Sequence, residues 1–172
     1  MIKHLALLVL VFASIRLHAQ NNKQDIERGR QPILKALLQN NWTGTGVLMG
    51  NEATFRMEWQ KVLHNKFLKL EFQNKQKSGE NEYIVFDATG FYKIINENTI
   101  YGNWFDSRGI SFPLEGTINE TELTIFWGNE DTEKGKTIYR YVNDNKITVE
   151  DFVMNNGEYF KFGNATYSVK DR

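Results

Sequence analysis

The stretch TFRMEWQKVLHNKFLKLEF, residues 54–72, alternates apolar and polar side chains on both sides of a short polar turn. A period of two is typical of strands that bury one face and expose the other. The turn His64-Asn65-Lys66 is short enough to join two such strands as an antiparallel hairpin. The apolar members of the alternation are Phe55, Met57, Trp59, Leu68, Leu70 and Phe72.

The same pattern continues to the end of the chain. It predicts strands near 42–49, 53–63, 67–74, 82–87, 90–96, 99–106, 110–118, 121–128, 136–143, 147–154 and 158–169. Most links have two to five residues, so neighbouring strands should pair antiparallel. We therefore predict an all-β, up-and-down meander of about ten strands that closes into a barrel, because closure removes both sheet edges. A two-sheet sandwich is the alternative, and it would require longer crossing connections.

The segment before the first strand is predicted to contain three regions: a signal peptide, a polar lead-in and a short helix. A charged start, an apolar run over 5–13 and a small residue at Ala19 are typical of a secretory signal peptide over residues 1–19. An uncleaved N-terminal anchor is the alternative. Residues 20–31 are polar and should form an exposed lead-in, after which Pro32 opens one short helix with an apolar face. The barrel domain then spans 32–172, and the mature chain should be secreted or periplasmic, with no membrane span.

A resemblance to a known family rests on several short segments. Trp42-Thr43-Gly44-Thr45-Gly46 opens the first strand directly after the short helix and resembles the start of the calycin group of lipocalin-like barrels. Segments 62–68, 102–107 and 157–161 look like those of an uncharacterised bacterial lipocalin-like family, and the similarity covers nearly all of residues 32–169. The resemblance implies a barrel with an apolar interior that holds a small ligand, and it implies no catalytic residues.

Composition excludes several classes of function. Lys plus Arg and Asp plus Glu both number 21, so no basic excess favours nucleic acid or an anionic membrane. The chain has no Cys, and His64 is the one His after residue 19, which leaves no Cys nucleophile and no cluster of imidazoles for a metal. The related nitrobindin-like haem barrels place a His near the C-terminus, and residues 147–169 contain none. We expect neither a cofactor nor enzymatic activity.

The inward faces of the predicted strands supply the candidate ligand-binding residues. In a barrel of ten strands these side chains either line a cavity or fill the core. Arg140 is ambiguous: if Ile138 and Val142 face inward, its guanidinium would hold an anionic ligand near tyrosines of neighbouring strands, as in the fatty-acid-binding barrels that this layout resembles. Otherwise it points to solvent or stacks on Trp42. The candidates are Trp42, Phe55, Met57, Trp59, Leu70, Phe112, Trp127, Tyr139 and Arg140.

One acidic residue interrupts an apolar strand face near the C-terminus. Asp151 shares its face with Ile147, Val149 and Val153, unless a bulge turns it outward. A catalytic role is disfavoured, because the neighbouring Glu150 points the opposite way. The sequence thus favours a non-catalytic lipocalin-like protein that binds a small apolar or amphipathic ligand. The alternative is a filled-core barrel whose outer face or loop 128–135 binds another protein or a glycan.

Overall fold

A computed structural model describes residues 31–39, 41–80 and 82–169. The predicted signal peptide and almost all of the predicted lead-in lie outside these ranges. One helix, α1, spans Pro32–Gln39 and precedes ten strands. The strands are β1 Asn41–Leu48, β2 Asn51–Val62, β3 Phe67–Lys77, β4 Tyr83–Ile94, β5 Thr99–Asp106, β6 Ser111–Ile118, β7 Glu122–Trp127, β8 Gly135–Asn143, β9 Lys146–Asn155 and β10 Glu158–Val169.

The ten strands form one closed antiparallel barrel in which each strand pairs with its neighbours in sequence and β10 returns to β1. The predicted meander and its closure are confirmed. In the hairpin that opens the sequence argument, Trp59 lies opposite Leu70 and Met57 lies opposite Phe72. Closure gives every strand two partners, so the sheet has no free edge.

The barrel has ten strands, as predicted, but the fourth strand corrects two of the predicted ranges. The segments predicted as strands 82–87 and 90–96 form the single strand β4, which pairs with β3 along residues 83–92. The sequence predicts a turn over residues 87–90, because Asp87 and Gly90 are residue types that are common in turns. Gly90 instead makes room inside the barrel, because a methyl group added to it would lie 2.6 Å from Cε2 of Tyr92.

Helix α1 seals one end of the barrel. Its buried side chains are Ile33, Leu34, Ala36 and Leu37, and they pack against β2, β7 and β8. The backbone amide of Ile33 donates to the carbonyl oxygen of Glu120 at 3.2 Å, which fixes the helix to the β6–β7 turn. None of the described helices is long and apolar enough to cross a membrane.

The two ends of the barrel therefore differ. We call the end covered by α1 the helix end; it also carries the turns after β2, β4, β6 and β8. The other end, called the open end, carries the turns after β1, β3, β5, β7 and β9. Each strand thus spans a half that is covered by α1 and a half near the open end.

Candidate functional site

The inner face of the barrel is packed near the helix end and partly accessible near the open end. Inward side chains of the helix half, such as Trp59, Leu70 and Ile147, are at most 2% exposed. In the open half, several side chains on the same inner face are half-buried, whereas others, such as Ala53, Ala88 and Phe112, are buried. Their partial exposure indicates that solvent reaches part of the inner face in the open half. The half-buried inward residues there include Leu48, Phe72, Phe86, Trp104, Trp127, Thr137, Asp151 and Val153.

Aromatic rings line this part of the inner face. The ring centroid of Phe72 lies 6.3 Å from that of Phe86 and 6.0 Å from that of Trp104. On the far side, the rings of Phe112 and Trp127 are 5.6 Å apart. Tilted and edge-on pairs at such separations favour one another beyond the area they bury, so the rings form a preorganised apolar wall.

A glycine makes room for one of these rings. Trp127 lies against the backbone of Gly135, where an added methyl group would come within 2.1 Å of Cζ2 of the indole. Gly135 opens β8 directly opposite Trp127. The absence of a side chain at Gly135 therefore allows the indole to pack directly on the β8 backbone.

Arg108 covers the mouth of the open half. It belongs to the β5–β6 turn, and its guanidinium carbon lies 5.7 Å from the ring centroid of Phe86 and 5.9 Å from that of Phe112. Its Nη2 donates to Asp106 and its Nη1 to Glu133 of the β7–β8 loop, both at 2.8 Å. One cation therefore bridges strands and loops across the rim.

Asp106 faces inward beneath this arginine and stays ionised. Burial acts to raise its pKa, but hydrogen bonds from Arg108 together with the charge of Arg108 outweigh burial and hold the pKa below its usual value. The indole Nε1 of Trp104 also donates to Oδ2 of Asp106, at 3.4 Å. Arg108 and Trp104 therefore supply the hydrogen bonds that the Asp106 carboxylate needs.

Asp151 is the second acid on the inner face, and its environment differs. It lies on β9 opposite Thr137 and Gly163, so the β10 bulge between Lys161 and Gly163 does not turn it outward. Oδ1 accepts a hydrogen bond from the Thr137 hydroxyl at 2.7 Å. Burial raises the pKa of Asp151 from 3.8 to about 6, although the bond from Thr137 acts in the opposite direction.

The negative charge of Asp151 also acts on two buried tyrosines. Burial raises the pKa of Tyr139 and of Tyr167 well above 10, and the charge of Asp151 raises both further. Tyr139 also packs edge-on against Trp59, with centroids 5.8 Å apart. Both phenols therefore remain neutral and belong to the floor beneath the open half.

Eight of the nine predicted ligand-binding residues lie on the inner face. Trp42, Met57, Trp59 and Leu70 are buried in the packed helix half, and they form the floor rather than the accessible wall. Phe55 and Tyr139 are buried near the middle of their strands, Phe112 is buried in the open half, and Trp127 is half-buried there.

Arg140 lies on the outer face, so the inward placement considered from the sequence is wrong. Its inward neighbours on β8 are Tyr139 and Tyr141, which pair with the inward residues of β7 and β9. Nε of Arg140 donates to Glu122 at 3.0 Å, and Nη1 donates to Glu150 at 2.5 Å. These outer acids, rather than a ligand, satisfy the guanidinium.

Sequence reasoning missed the rim and part of the wall. Phe86, Trp104 and Arg108 were not selected, because they lie on three different segments that only closure of the barrel brings together. Asp151 was found as an interruption of an apolar face, and that signal was correct for its orientation. For the described residues no group of three potential metal ligands is present, and His64 lies exposed in the β2–β3 turn.

A second concavity lies on the outside of the barrel. A groove of about 840 Å³ crosses the outer surface of β1 to β5, and its lining includes Arg56, Glu71, Gln73 and Asp87. It is broad and open to solvent, and Gln73 and Asp87 already bond each other at 2.8 Å. Binding pockets are usually enclosed and largely apolar, so the interior is the better candidate.

No family model matches the chain, and no curated protein matches it. Among solved structures it is similar to Rv2717c from M. tuberculosis, with a TM-score of 0.62, 12% identity, and coverage of 83% of this chain and 98% of that chain. The chain shares a lipocalin-like barrel fold with it. The S-type phycobiliprotein lyase CPES from Guillardia theta is also similar, with a TM-score of 0.56 and 10% identity over 86% of this chain and 93% of that chain.

Proposed function

We propose that this protein is a secreted or periplasmic, non-catalytic lipocalin-like carrier that holds a small apolar or amphipathic molecule in the open half of its barrel. One observation carries the proposal: inward side chains such as Trp59 and Leu70 are sealed in the helix half, whereas several in the open half are partly accessible. The resemblance in fold to lipocalin-like barrels supports it.

The energetics of the proposed site favour apolar ligands. The wall is formed by Phe72, Trp104 and Trp127, and the floor beneath it is already packed. Apolar surface that a ligand buries against these rings contributes about 25 cal/mol per Å². Because the rings are held by the sheet, little side-chain entropy is lost on binding.

Titration with a neutral fluorescent probe, N-phenyl-1-naphthylamine, tests the proposal. We expect probe emission to rise on binding and the emission of Trp104 and Trp127 to fall. Val153→Trp should abolish binding by filling the open half, whereas Phe152→Trp, one residue away on the outer face, should not. Native mass spectrometry of protein from its own host should then show a retained small molecule. Failure of the probe to bind, or equal binding by both variants, would contradict the carrier function.

An interaction module remains a second candidate, on a different observation. Phe91, Tyr101 and Phe105 are exposed on the outer face of the adjacent strands β4 and β5. Exposed aromatic groups are typical of surfaces that bind proteins or glycans. This candidate is favoured if the probe does not enter the barrel and Phe105→Ser removes binding of an extracytoplasmic partner.

A further inference from the structure

The open half of the barrel is acidic on its inner face. Within residues 41–80 and 82–169, its inward strand positions carry Asp106 and Asp151 and no Lys or Arg. Arg108 adds one positive charge at the rim, but Asp106 and Glu133 already bind it. The ligand space therefore has a net negative surround.

The two inner acids are satisfied to different degrees. Asp106 binds a guanidinium and an indole N–H of its own chain. Asp151 receives one hydrogen bond, from the neutral hydroxyl of Thr137, and no cation among the described residues approaches it. A buried carboxylate with so little compensation is costly unless a partner is supplied.

The second oxygen of this carboxylate, Oδ2, lies close to the backbone of β10. Gly163 lies opposite Asp151, and a methyl group added to Gly163 would be 3.1 Å from Oδ2 and 3.2 Å from Cδ1 of Leu48. Oδ2 is therefore packed close to the Gly163 backbone and to Leu48, so a ligand must reach this carboxylate from the barrel interior rather than past Gly163. Asp151 is also half-buried rather than sealed, which places it at the inner surface of the accessible space.

Resting on the carrier function proposed above, we propose that the ligand is an organic cation, with an apolar body along Phe72, Trp104 and Trp127 and a protonated amine on Asp151. The aromatic faces favour the same charge, because a cation is attracted to the negative face of a π-system. An anionic headgroup would instead meet two carboxylates and an arginine that is already paired.

The charge preference has a measurable size. A hydrogen bond to an ionised partner is stronger than one between neutral groups, and the difference corresponds to about a tenfold to a hundredfold change in affinity. We therefore expect a primary amine to bind about ten to a hundred times more tightly than the alcohol of equal length. A carboxylic acid of that length should bind most weakly.

Lowering the pH should remove the preference for the amine over the alcohol. The polar groups that face Asp151 are Thr137 and Tyr139 from β8 and Tyr167 from β10, while β1 presents the apolar Leu48. None of these groups is protonated or deprotonated between about pH 5 and 7.5. Protonation of Asp151 below its pKa of about 6 should thus weaken the amine and leave the alcohol unchanged.

The experiment compares decylamine, decan-1-ol and decanoic acid below their aggregation concentrations, each displacing N-phenyl-1-naphthylamine from the full chain. Asp151→Asn should bring the amine to within a few-fold of the alcohol without changing the alcohol. Thr137→Val, which keeps the carboxylate, should retain the amine preference. Arg140→Met, on the outer face, should leave all three affinities unchanged.

The outcomes separate this inference from the carrier function. If the protein binds the probe, three results would overturn the cation assignment alone. These are equal affinity for the three decyl compounds, preference for decanoic acid, and an amine preference that persists in Asp151→Asn. A protein that does not bind the probe at all would overturn both.

Discussion

Replacing Asp151 by Asn should stabilise the protein at neutral pH. Burial raises the pKa of this carboxyl from 3.8 to about 6. Between those two values the folded chain retains a proton that the unfolded chain releases, so stability falls as pH rises through the interval. Above about pH 6 the whole cost of the buried charge is present, and below about pH 4 it is absent.

The magnitude follows from the size of the shift. A change from 3.8 to about 6 is about 2 pKa units, and at about 1.4 kcal/mol per unit the upper bound is about 3 kcal/mol. Because the side chain keeps some contact with solvent, we expect a gain of about 1–3 kcal/mol in the free energy of unfolding. Asn retains an oxygen that can accept the 2.7 Å hydrogen bond from Thr137.

Urea denaturation of the two proteins across about pH 4 to 8 measures this gain. The difference between them should be near zero at the acid end and reach its plateau above about pH 6.5. Asp87→Asn is the matched control, because Asp87 is exposed on β4 and its acceptor role toward Gln73 is preserved. A variant that is no more stable than the wild type at pH 7.5, or a difference independent of pH, would refute the reasoning.

Three further predictions concern the wall, the mouth and the outer face. Gly135→Ala should lower the free energy of unfolding of the protein by about 1–3 kcal/mol and shift Trp127 emission, since the new methyl group meets the indole and the carbonyl of Phe152. Unchanged emission and stability would contradict this packing of Trp127 on Gly135. Arg108→Met should speed both association and dissociation of the probe in stopped-flow traces, whereas unchanged rates would mean that Arg108 does not cover the mouth. Arg140→Met should lower stability by at most about 1 kcal/mol without changing probe affinity, and a loss of affinity would place Arg140 at the site.

Much of the fold could be predicted because the alternation of apolar and polar residues within each strand and the closure of the sheet into a barrel place the same side chains inside. The period of two in residues 54–72 fixed which side chains face inward, and the short links fixed the antiparallel order. The prediction failed for β4, where turn-forming residues lie inside a continuous strand. Their preference for turns is weaker than the pairing with β3 on one side and β5 on the other.

The site could be predicted only where it depends on strand faces. Trp127 and Asp151 follow from alternation, whereas Arg140 was ambiguous because both faces of β8 contain apolar residues. The register with β7 and β9 decides its direction, and a register cannot be read from one strand alone. The rim around Arg108 depends on contacts across the mouth, between residues up to 25 positions apart in sequence.

The unequal treatment of the two inner acids links stability to the proposed function. Asp106 is satisfied by Arg108, which closes the mouth and holds the β5–β6 turn to the β7–β8 loop. Asp151 is left with a neutral hydroxyl, and its charge lowers the stability of the empty protein. The packed helix half, sealed by α1, supplies the folding free energy that tolerates this cost. A cation that pairs with Asp151 recovers part of the cost on binding, so the same residue that weakens the empty barrel strengthens the complex.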